Sequence, residues 1–363
     1  MILLSADIGG TNTSIALIEY DNGNFTLKER KVYATQDLEN FSQALSDFFQ
    51  TLADFAPHNP HNPHAPHAPH NKKITAACLS IAGPIKDKHC VPTNIPWTLN
   101  GYEIERQFGI PTMVINDFTA VCYGIPLLDI NDLSKIHPLP LPNGKLPPQQ
   151  DYLPGISVQV AVGAGTGLGL GYILTDKKRI CAMPAEGGHA DFAPHNAVSR
   201  ELNIYLGEKL GFPVHAEHLV SGQGIVNIFH FMRDAQGADS PEIQKISSLE
   251  DRDKPEAISE AAQRDKTCGS IIKLFIELYA RAAHNVALSF IPKKGLFLAG
   301  GIAAKNKHLF LEEYHFMKNF IHNTNNSIQA VLRDVPVYIV EDYCTSLYGA
   351  AHAFIQLQNI RAV

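Results

Sequence analysis

The sequence has few cysteines, no long apolar run and little net charge, and each of these absences excludes a class of protein. The six cysteines lie far apart without a C-x-x-C pair, so neither a disulfide framework nor a cysteine zinc site is expected. No apolar stretch approaches the ~20 residues of a membrane helix, and the apolar N-terminus is short and lacks the basic region of a signal peptide. The net charge of -6 argues against nucleic acid or an anionic membrane as main partner. We therefore expect a cytoplasmic protein with reduced thiols.

The common phosphate-binding signatures are also missing. No G-x-x-x-x-G-K-[ST] occurs in the chain, so it is not a P-loop protein. The glycines between 163 and 171 miss the G-x-G-x-x-G spacing and no helical pattern follows them, which excludes a Rossmann fingerprint. What the sequence does have is 363 residues, enough for two domains. Its 45% hydrophobic and 18% charged residues are typical of a globular protein.

Two stretches of the chain share one pattern, an apolar strand, glycines around a threonine, and a second apolar strand. The first copy covers residues 2–18 and the second 158–174, which we interpret as an internal repeat with one copy per domain. Amides unhindered by side chains, with a threonine hydroxyl, can wrap a phosphate, although Gly-Gly alone also suits an ordinary hairpin. Asp7, at the end of the first strand, favours the phosphate interpretation because a carboxylate there suits a hydrated Mg²⁺.

A further pair of polar residues, Asn116 and Asp117, follows a predicted strand over 112–115. Open α/β sheets keep their ligands at the carboxyl ends of strands, so this pair is a candidate for ligand binding. The alternative for Asp117 is an N-cap for the helix that follows.

Glu186 and His189 enclose two glycines, which would let the backbone bend so that both side chains face one polyhydroxy ligand. The alternative is an ordinary pair of surface residues. Glu217 could join the same ligand site or be a solvated loop acid, and the local sequence does not distinguish the two.

Residues 57–71 form a strict three-residue repeat of proline and histidine. This composition favours an exposed polyproline II segment, so we interpret it as an inserted surface loop. Histidines three residues apart in polyproline II lie about 9 Å apart, too far for several to share a metal with bonds of about 2.0–2.1 Å. We expect only weak binding of transition metals and no catalytic role.

Six motifs occur in an order that resembles bacterial glucokinase, and the likeness runs from residue 2 to about 354. The cysteine-rich zinc motif of the related repressor-and-kinase (ROK) family is absent, which favours the non-zinc glucokinase group. The motifs are Asp-Ile-Gly-Gly-Thr-Asn (7–12), Ile-Asn-Asp-Phe-Thr-Ala (115–120), Gly-Ala-Gly-Thr-Gly-Leu-Gly (163–169), Glu-Gly-Gly-His (186–189), Glu-His-Leu-Val-Ser-Gly (217–222) and Leu-Ala-Gly-Gly-Ile (298–302).

This resemblance implies a two-domain α/β protein with the actin-like ATPase (ribonuclease-H-type) fold and an interdomain cleft. The small domain would comprise residues 1–115, with the C-terminal helix 346–363 returning to it and 57–71 as an inserted loop. The large domain would comprise residues 116–345. The resemblance also implies a homodimer.

The implied activity is transfer of the γ-phosphoryl group of ATP to the 6-hydroxyl of glucose, with Asp117 as the general base. Asp7 would hold Mg²⁺, through water. The residues implied to bind the sugar are Asn94, Asn116, Asp117, Glu186, His189 and Glu217. Those implied to bind phosphates are Gly9, Gly10, Thr11, Asn12, Gly165, Thr166 and Gly167, with Gly300 and Gly301 packed on the adenosine.

Three alternative functions remain open at this point. A kinase for another hexose or an N-acylhexosamine would use the same pocket residues. A non-catalytic sugar sensor or repressor would need a DNA-binding helix-turn-helix before the first strand, which begins at residue 2. An actin-like assembly protein is disfavoured by the Glu-Gly-Gly-His motif.

Overall fold

A computed structural model describes residues 1–52, 73–92, 94–177 and 179–361 of the chain. The predicted loop at 57–71 lies outside the described residues. The chain divides into two compact units, the first formed by 1–128, 179–182 and 343–363 and the second by 129–178 and 183–342. The first unit continues to Leu128 because helix 117–124 packs against the last helix. The domain boundary at 115/116 stays a prediction.

The described strands form two main sheets and a small one. The main sheets have the strand orders β3-β2-β1-β4-β8 and β12-β11-β10-β13-β14-β9, and the small sheet is β5-β6-β7. In chain order the strands are β1 (Ile2–Ile8), β2 (Asn12–Asp21), β3 (Asn24–Ala34), β4 (Ile74–Ile81), β5 (Ile85–Lys86), β6 (His89–Cys90), β7 (Leu99–Asn100), β8 (Thr112–Asn116), β9 (Ile136–Pro138), β10 (Ile156–Ala164), β11 (Leu168–Asp176), β12 (Arg179–Ala185), β13 (Leu296–Ala299) and β14 (Val337–Val340).

Helices cover these sheets within each unit. Short 3₁₀ turns at Gly187–His189 and Ala216–His218 carry predicted site residues. The α-helices are α1 (Phe41–Gln50), α2 (Gly101–Phe108), α3 (Asp117–Gly124), α4 (Ala197–Leu210), α5 (Gly222–Asp234), α6 (Pro241–Ser247), α7 (Lys254–Ala261), α8 (Lys266–Phe290), α9 (Gly301–Lys305), α10 (Lys307–Leu311), α11 (His315–Ile321), α12 (Asn326–Arg333) and α13 (Thr345–Arg361).

In the first unit, β1 pairs antiparallel with β2 and parallel with β4, which in turn pairs parallel with β8. The carboxyl ends of β1, β4 and β8 therefore meet at one edge of the sheet. Asp7 and Asp117, which lie at the ends of β1 and β8, share that edge. The strands are held by a continuous apolar core that includes Ile8, Ile15 and Leu79.

In the second unit, β10 pairs antiparallel with β11 and parallel with β13. The sequence predicts a long helix with one buried face from the apolar spacing of Ile271, Phe275, Leu278, Ala282, Val286 and Phe290. Helix α8 is this helix; it packs against the sheet and buries Ile271, Phe275 and Leu278. The same spacing wrongly placed Phe290 on the buried face, since its side chain is 43% exposed at the helix end. At 3.6 residues per turn the buried stripe instead continues through residues 279, 280, 283 and 287. Among the described residues, no helix combines the length and apolarity needed to cross a membrane.

Candidate active site

The first glycine turn joins β1 to β2 and is held together by its own hydrogen bonds. The Gly9 N–H donates to the Asn12 carbonyl oxygen at 3.0 Å. Thr35 Oγ1 donates to the Gly9 carbonyl at 2.7 Å, and Gln36 Nε2 donates to the Gly10 carbonyl at 3.0 Å. The Gly9 amide is already bonded inside the turn and cannot also bind a phosphate. The amides of Gly10 and Thr11 remain as the candidates for phosphate binding in this turn.

Asp7 lies beside this turn and is partly buried at the end of β1. Its Oδ2 accepts a hydrogen bond of 2.6 Å from Ser346 Oγ. Burial raises the pKa of Asp7 above its ordinary value and the charge of Asp117 raises it further, while the Ser346 hydrogen bond acts in the opposite direction. The carboxylates of Asp7 and Asp117 therefore repel each other electrostatically.

The donor set around Asp7 fits a magnesium ion. Mg²⁺ prefers carboxylate oxygens, keeps several of its waters, and is bound through one or two carboxylates plus substrate phosphates. A divalent cation there would also relieve the repulsion between Asp7 and Asp117. The described residues hold no group of three or more histidine, cysteine or acidic side chains arranged to bind a metal by themselves.

Asn116 and Asp117 occupy the junction between β8 and α3. Asn116 is the N-cap, because its Oδ1 accepts from the amides of Phe118 (3.0 Å) and Thr119 (3.2 Å). The alternative that Asp117 caps this helix is therefore wrong. Asp117 is the first helical residue, and its Oδ1 accepts from the Phe118 amide at 2.8 Å. With the Asn116 oxygen engaged in capping, its NH₂ group is the part that can donate to a ligand.

Asn94 lies next to the first glycine turn in the same unit. A Cβ added at Gly10 would be 3.5 Å from the Asn94 Cβ, and Gln36 Nε2 donates to the Asn94 carbonyl at 3.4 Å. The Asn94 side chain is exposed.

The second glycine turn joins β10 to β11 and, like the first, contains a backbone hydrogen bond of its own. The Gly165 N–H donates to the Gly167 carbonyl at 2.9 Å. Glu217 Oε2 accepts from the Leu168 amide at 2.8 Å, and a Cβ added at Gly167 would lie 2.5 Å from that oxygen. The Gly222 amide donates to the Gly165 carbonyl at 2.8 Å. Glu217 is thus bonded to the turn, and its interpretation as a solvated loop acid is wrong.

The Glu186–His189 segment forms a 3₁₀ turn with both side chains accessible. The side chains of Glu186 and His189 are 93% and 59% exposed, and Glu186 Oε2 lies 4.0 Å from His189 Nε2. This distance exceeds a hydrogen bond, so both groups can bond a ligand placed between them.

The two glycines of this segment have a different role from the expected bend, since neither adopts a positive φ. A Cβ at Gly188 would collide with the Leu168 carbonyl oxygen, and one at Gly187 would lie 2.9 Å from Leu170 Cδ2. Glycine is therefore needed for close packing of the turn against β11.

Backbone hydrogen bonds join this segment to the turn that carries Glu217. The Ala216 amide donates to the Ala190 carbonyl at 2.9 Å. The His189 and His215 rings meet edge to face at 6.0 Å between centroids, and the His215 and His218 rings stack at 5.2 Å. Burial lowers the pKa of His218, and His215 lowers it further. The three predicted sugar ligands of the second unit are thus brought into one region.

Gly300 and Gly301 join β13 to α9. Gly300 has a φ of 92°, and a Cβ there would lie 2.6 Å from the Ala164 carbonyl oxygen, so only glycine fits. Gly301 has no described neighbour within 4 Å of the position that its Cβ would occupy. Its open face could accommodate a flat ring such as adenine.

Comparison with known proteins identifies the family of the chain. A glucokinase family profile matches residues 4–357. A glucokinase of Nostoc punctiforme is 35% identical over 366 residues, which cover 96% of this chain and 98% of that protein. This chain belongs to the glucokinase family.

Solved glucokinases have the same fold. The glucokinase from an Antarctic psychrotroph superposes with a TM-score of 0.75 at 26% identity, covering 97% of this chain and 98% of its own. The Balamuthia mandrillaris glucokinase, solved with glucose, gives 0.71 at 24% identity, covering 96% and 92%. The predicted α/β actin-like ATPase fold is confirmed.

Sequence reasoning missed three residues that support this glucokinase-family site. Ser346 bonds Asp7 and Thr35 bonds the first glycine turn. Tyr279 Oη donates to the Val162 carbonyl (2.8 Å) and accepts from the Ala164 amide (3.3 Å), which holds the strand end before the second turn. All three are far in sequence from what they bond, so no local pattern could reveal them.

Proposed function

We propose that this chain transfers the γ-phosphoryl group of ATP to the 6-hydroxyl of glucose, giving glucose 6-phosphate and ADP. The observation that carries the proposal is the Asp117 carboxylate, which shares one sheet edge with Asp7 and the first glycine turn in a chain of the glucokinase family. Phosphoryl transfer needs positioning, charge neutralisation and a proton acceptor, and this edge offers candidates for all three.

Asp117 is proposed to accept the proton of the 6-hydroxyl. The amide of Phe118 bonds its carboxylate, and the N-terminus of α3 favours its negative charge. A carboxylate is a weak base for a sugar hydroxyl. The proton accordingly transfers late, as the phosphoryl group reaches the sugar oxygen.

The sugar is proposed to be held by hydrogen bonds to its hydroxyls. Asn116 would donate through its NH₂ group, Glu186 and Glu217 would accept through carboxylates, and His189 would bond through its ring. Asn94 is a further candidate from its place beside Gly10. A site built this way discriminates against sugars that lack a bonded hydroxyl, because the unpaired polar group costs free energy.

ATP is the proposed phosphoryl donor. The amides of Gly10, Thr11, Thr166 and Gly167 would bond its phosphates, and Gly301 would pack against the adenosine, with Gly300 holding the turn. Asp7 would hold Mg²⁺ through water, and the bound ion would neutralise phosphate charge. A homodimer, implied by the resemblance, and a cytoplasmic location, expected from the cysteine pattern, are further proposals.

If Glu186 and His189 bind the sugar, changing either residue should affect KM for glucose and not KM for ATP. Glu186→Gln and His189→Ala should each raise KM for glucose by about 10–100-fold, the loss expected for a hydrogen bond to a charged group, and leave KM for ATP within about twofold. Steady-state kinetics with each substrate varied in turn measures both constants. The exposed Glu208 on α4 provides the control variant Glu208→Gln, which should change neither. Equal increases for glucose and ATP would indicate a folding defect and reject the sugar contact.

The second glycine turn predicts the opposite pattern. Thr166 is exposed at its tip, and Thr166→Val should raise KM for ATP by about 2–10-fold, as for one neutral hydrogen bond, with KM for glucose unchanged. Thr175→Val, on β11 away from the turn, is the matched control. An unchanged ATP dependence in Thr166→Val would remove this hydroxyl from the phosphate site.

The proposed reaction is tested by an ATP-dependent phosphorylation assay of the purified chain over glucose, fructose, mannose and N-acetylglucosamine. We expect the highest kcat/KM with glucose. A higher value with another sugar would assign a different substrate to the same site. If the chain binds a sugar but phosphorylates none of the four, the result would favour the alternative function of a non-catalytic sugar sensor.

A further inference from the structure

The first unit has a concave site of about 560 Å³ where the N-termini of α1 and α2 come together. Its floor is apolar and buried, with no floor side chain more than 8% exposed; it consists of Phe41, Trp97, Leu99 and Ile104. Its rim is polar. None of the residues proposed above to bind glucose, ATP or Mg²⁺ lines it.

Three carboxamides on the rim are oriented by bonds to the backbone. Asn40 Oδ1 accepts from the Gln43 amide at 2.9 Å, and Gln43 Oε1 accepts from the Glu39 amide at 2.9 Å. Asn100 Oδ1 accepts from the Tyr102 amide at 3.1 Å. With these oxygens engaged, the NH₂ groups are the parts that can donate to a ligand.

The charge of the rim decides which ligand chemistry fits. Glu103 is the one charged residue among the described residues that line the site, which include no lysine or arginine. An anion such as a phosphate would therefore meet a carboxylate and no cationic side chain. Hydroxyls of Ser42, Ser46 and Thr98 complete a set that can both donate and accept.

Trp97 adds a second observation. Within the described part of the chain, its buried Nε1–H has no hydrogen-bond acceptor. Buried donors are normally satisfied. Because Nε1 has almost no accessible surface, the indole would have to shift before a ligand hydroxyl could accept from it. The volume lies in the usual range of about 300–1,000 Å³ for a small-molecule site. Most of the described lining residues are polar, which suits a ligand with many hydroxyls better than an apolar one.

We infer that this site binds a neutral polyhydroxy compound, a mono- or disaccharide, separately from the sugar that is phosphorylated. The inference does not depend on the proposed kinase activity, because the two sites share no residue.

The chain contains a single tryptophan, so intrinsic fluorescence reports on this site. We expect a saturable change in Trp97 emission when the full chain is titrated with at least one of glucose, sucrose and trehalose, and none with inorganic phosphate. Ser46→Leu, which fills part of the site, and Gln107→Leu, at an exposed rim position, should each weaken that binding at least tenfold. Both variants should phosphorylate glucose as the parent chain does.

His189→Ala distinguishes this site from the proposed kinase site and should leave the titration unchanged. A change in emission that His189→Ala abolishes, or that both Ser46→Leu and Gln107→Leu leave intact, would overturn the inference. The absence of a saturable change with all three sugars would also overturn it. Because Gln107 is exposed, its variant keeps the test valid if Ser46→Leu does not fold.

Discussion

Asp117→Asn is expected to lower kcat by about 10²–10⁴-fold, the usual range for loss of a general base, while glucose binding is largely kept. The asparagine retains the size of the side chain and an oxygen that can accept from the Phe118 amide at the start of α3. It removes the group that takes the proton. Turnover under saturating ATP and glucose, with glucose affinity measured separately by calorimetry, tests this result.

Asp129→Asn is the control, because Asp129 is an exposed aspartate that, like Asp117, accepts from a nearby backbone amide, that of Asn131 at 3.0 Å. It should retain normal kcat. Near-normal turnover in Asp117→Asn would reject the base role and leave Asp117 as a residue of the first helical turn only.

Gly349→Ala is expected to destabilise the protein by about 1–3 kcal/mol, the typical cost of overpacking a close contact. Helix α13 crosses α3 at this glycine, where an added Cβ would collide with the Ala120 carbonyl oxygen and lie 2.6 Å from the Gly124 amide nitrogen. Relief of this clash requires α13 and α3 to move apart, which would displace the start of α3 at Asp117. We therefore expect a lower kcat as well as a lower Tm.

Gly207→Ala provides the same substitution in an open environment. Gly207 lies within α4, and no described atom lies within 4 Å of the position of its Cβ. Alanine there should stabilise the helix by about 0.5–1 kcal/mol, so the two variants should change Tm in opposite directions. Equal stability of Gly349→Ala and the parent chain in thermal and urea unfolding would show that the crossing can relax.

The glycine turns show how far local sequence can predict this site. Both strand–turn–strand units were predicted from apolar runs that flank Gly-Gly-Thr and Gly-Thr-Gly, and both exist in the structure. Which amides remain available was not predictable, because the Gly9 and Gly165 amides are used by carbonyls within their own turns. Such bonds depend on the detailed backbone path and not on residue type.

For Asn116 and Asp117, too, the sequence predicted the location but not the role of each residue. The sequence placed both residues at a strand end, but either could serve as N-cap by composition. The structure assigns the cap to Asn116, and this leaves Asp117 for the proposed chemistry. Glu217 was ambiguous for a related reason, since its partner, the Leu168 amide, lies 49 residues away.

By itself, the sequence determined the strand–turn–strand repeat, the long helix α8 and the family, because these depend on the periodicity and order of neighbouring residues. Only the tertiary structure decided that Ser346 bonds Asp7 across 339 residues, that Gly187 and Gly188 serve packing, and that Gly349 must be small. Contacts of this kind depend on strand register and helix crossing. These are set by how the whole core packs, and no short stretch of sequence contains that information.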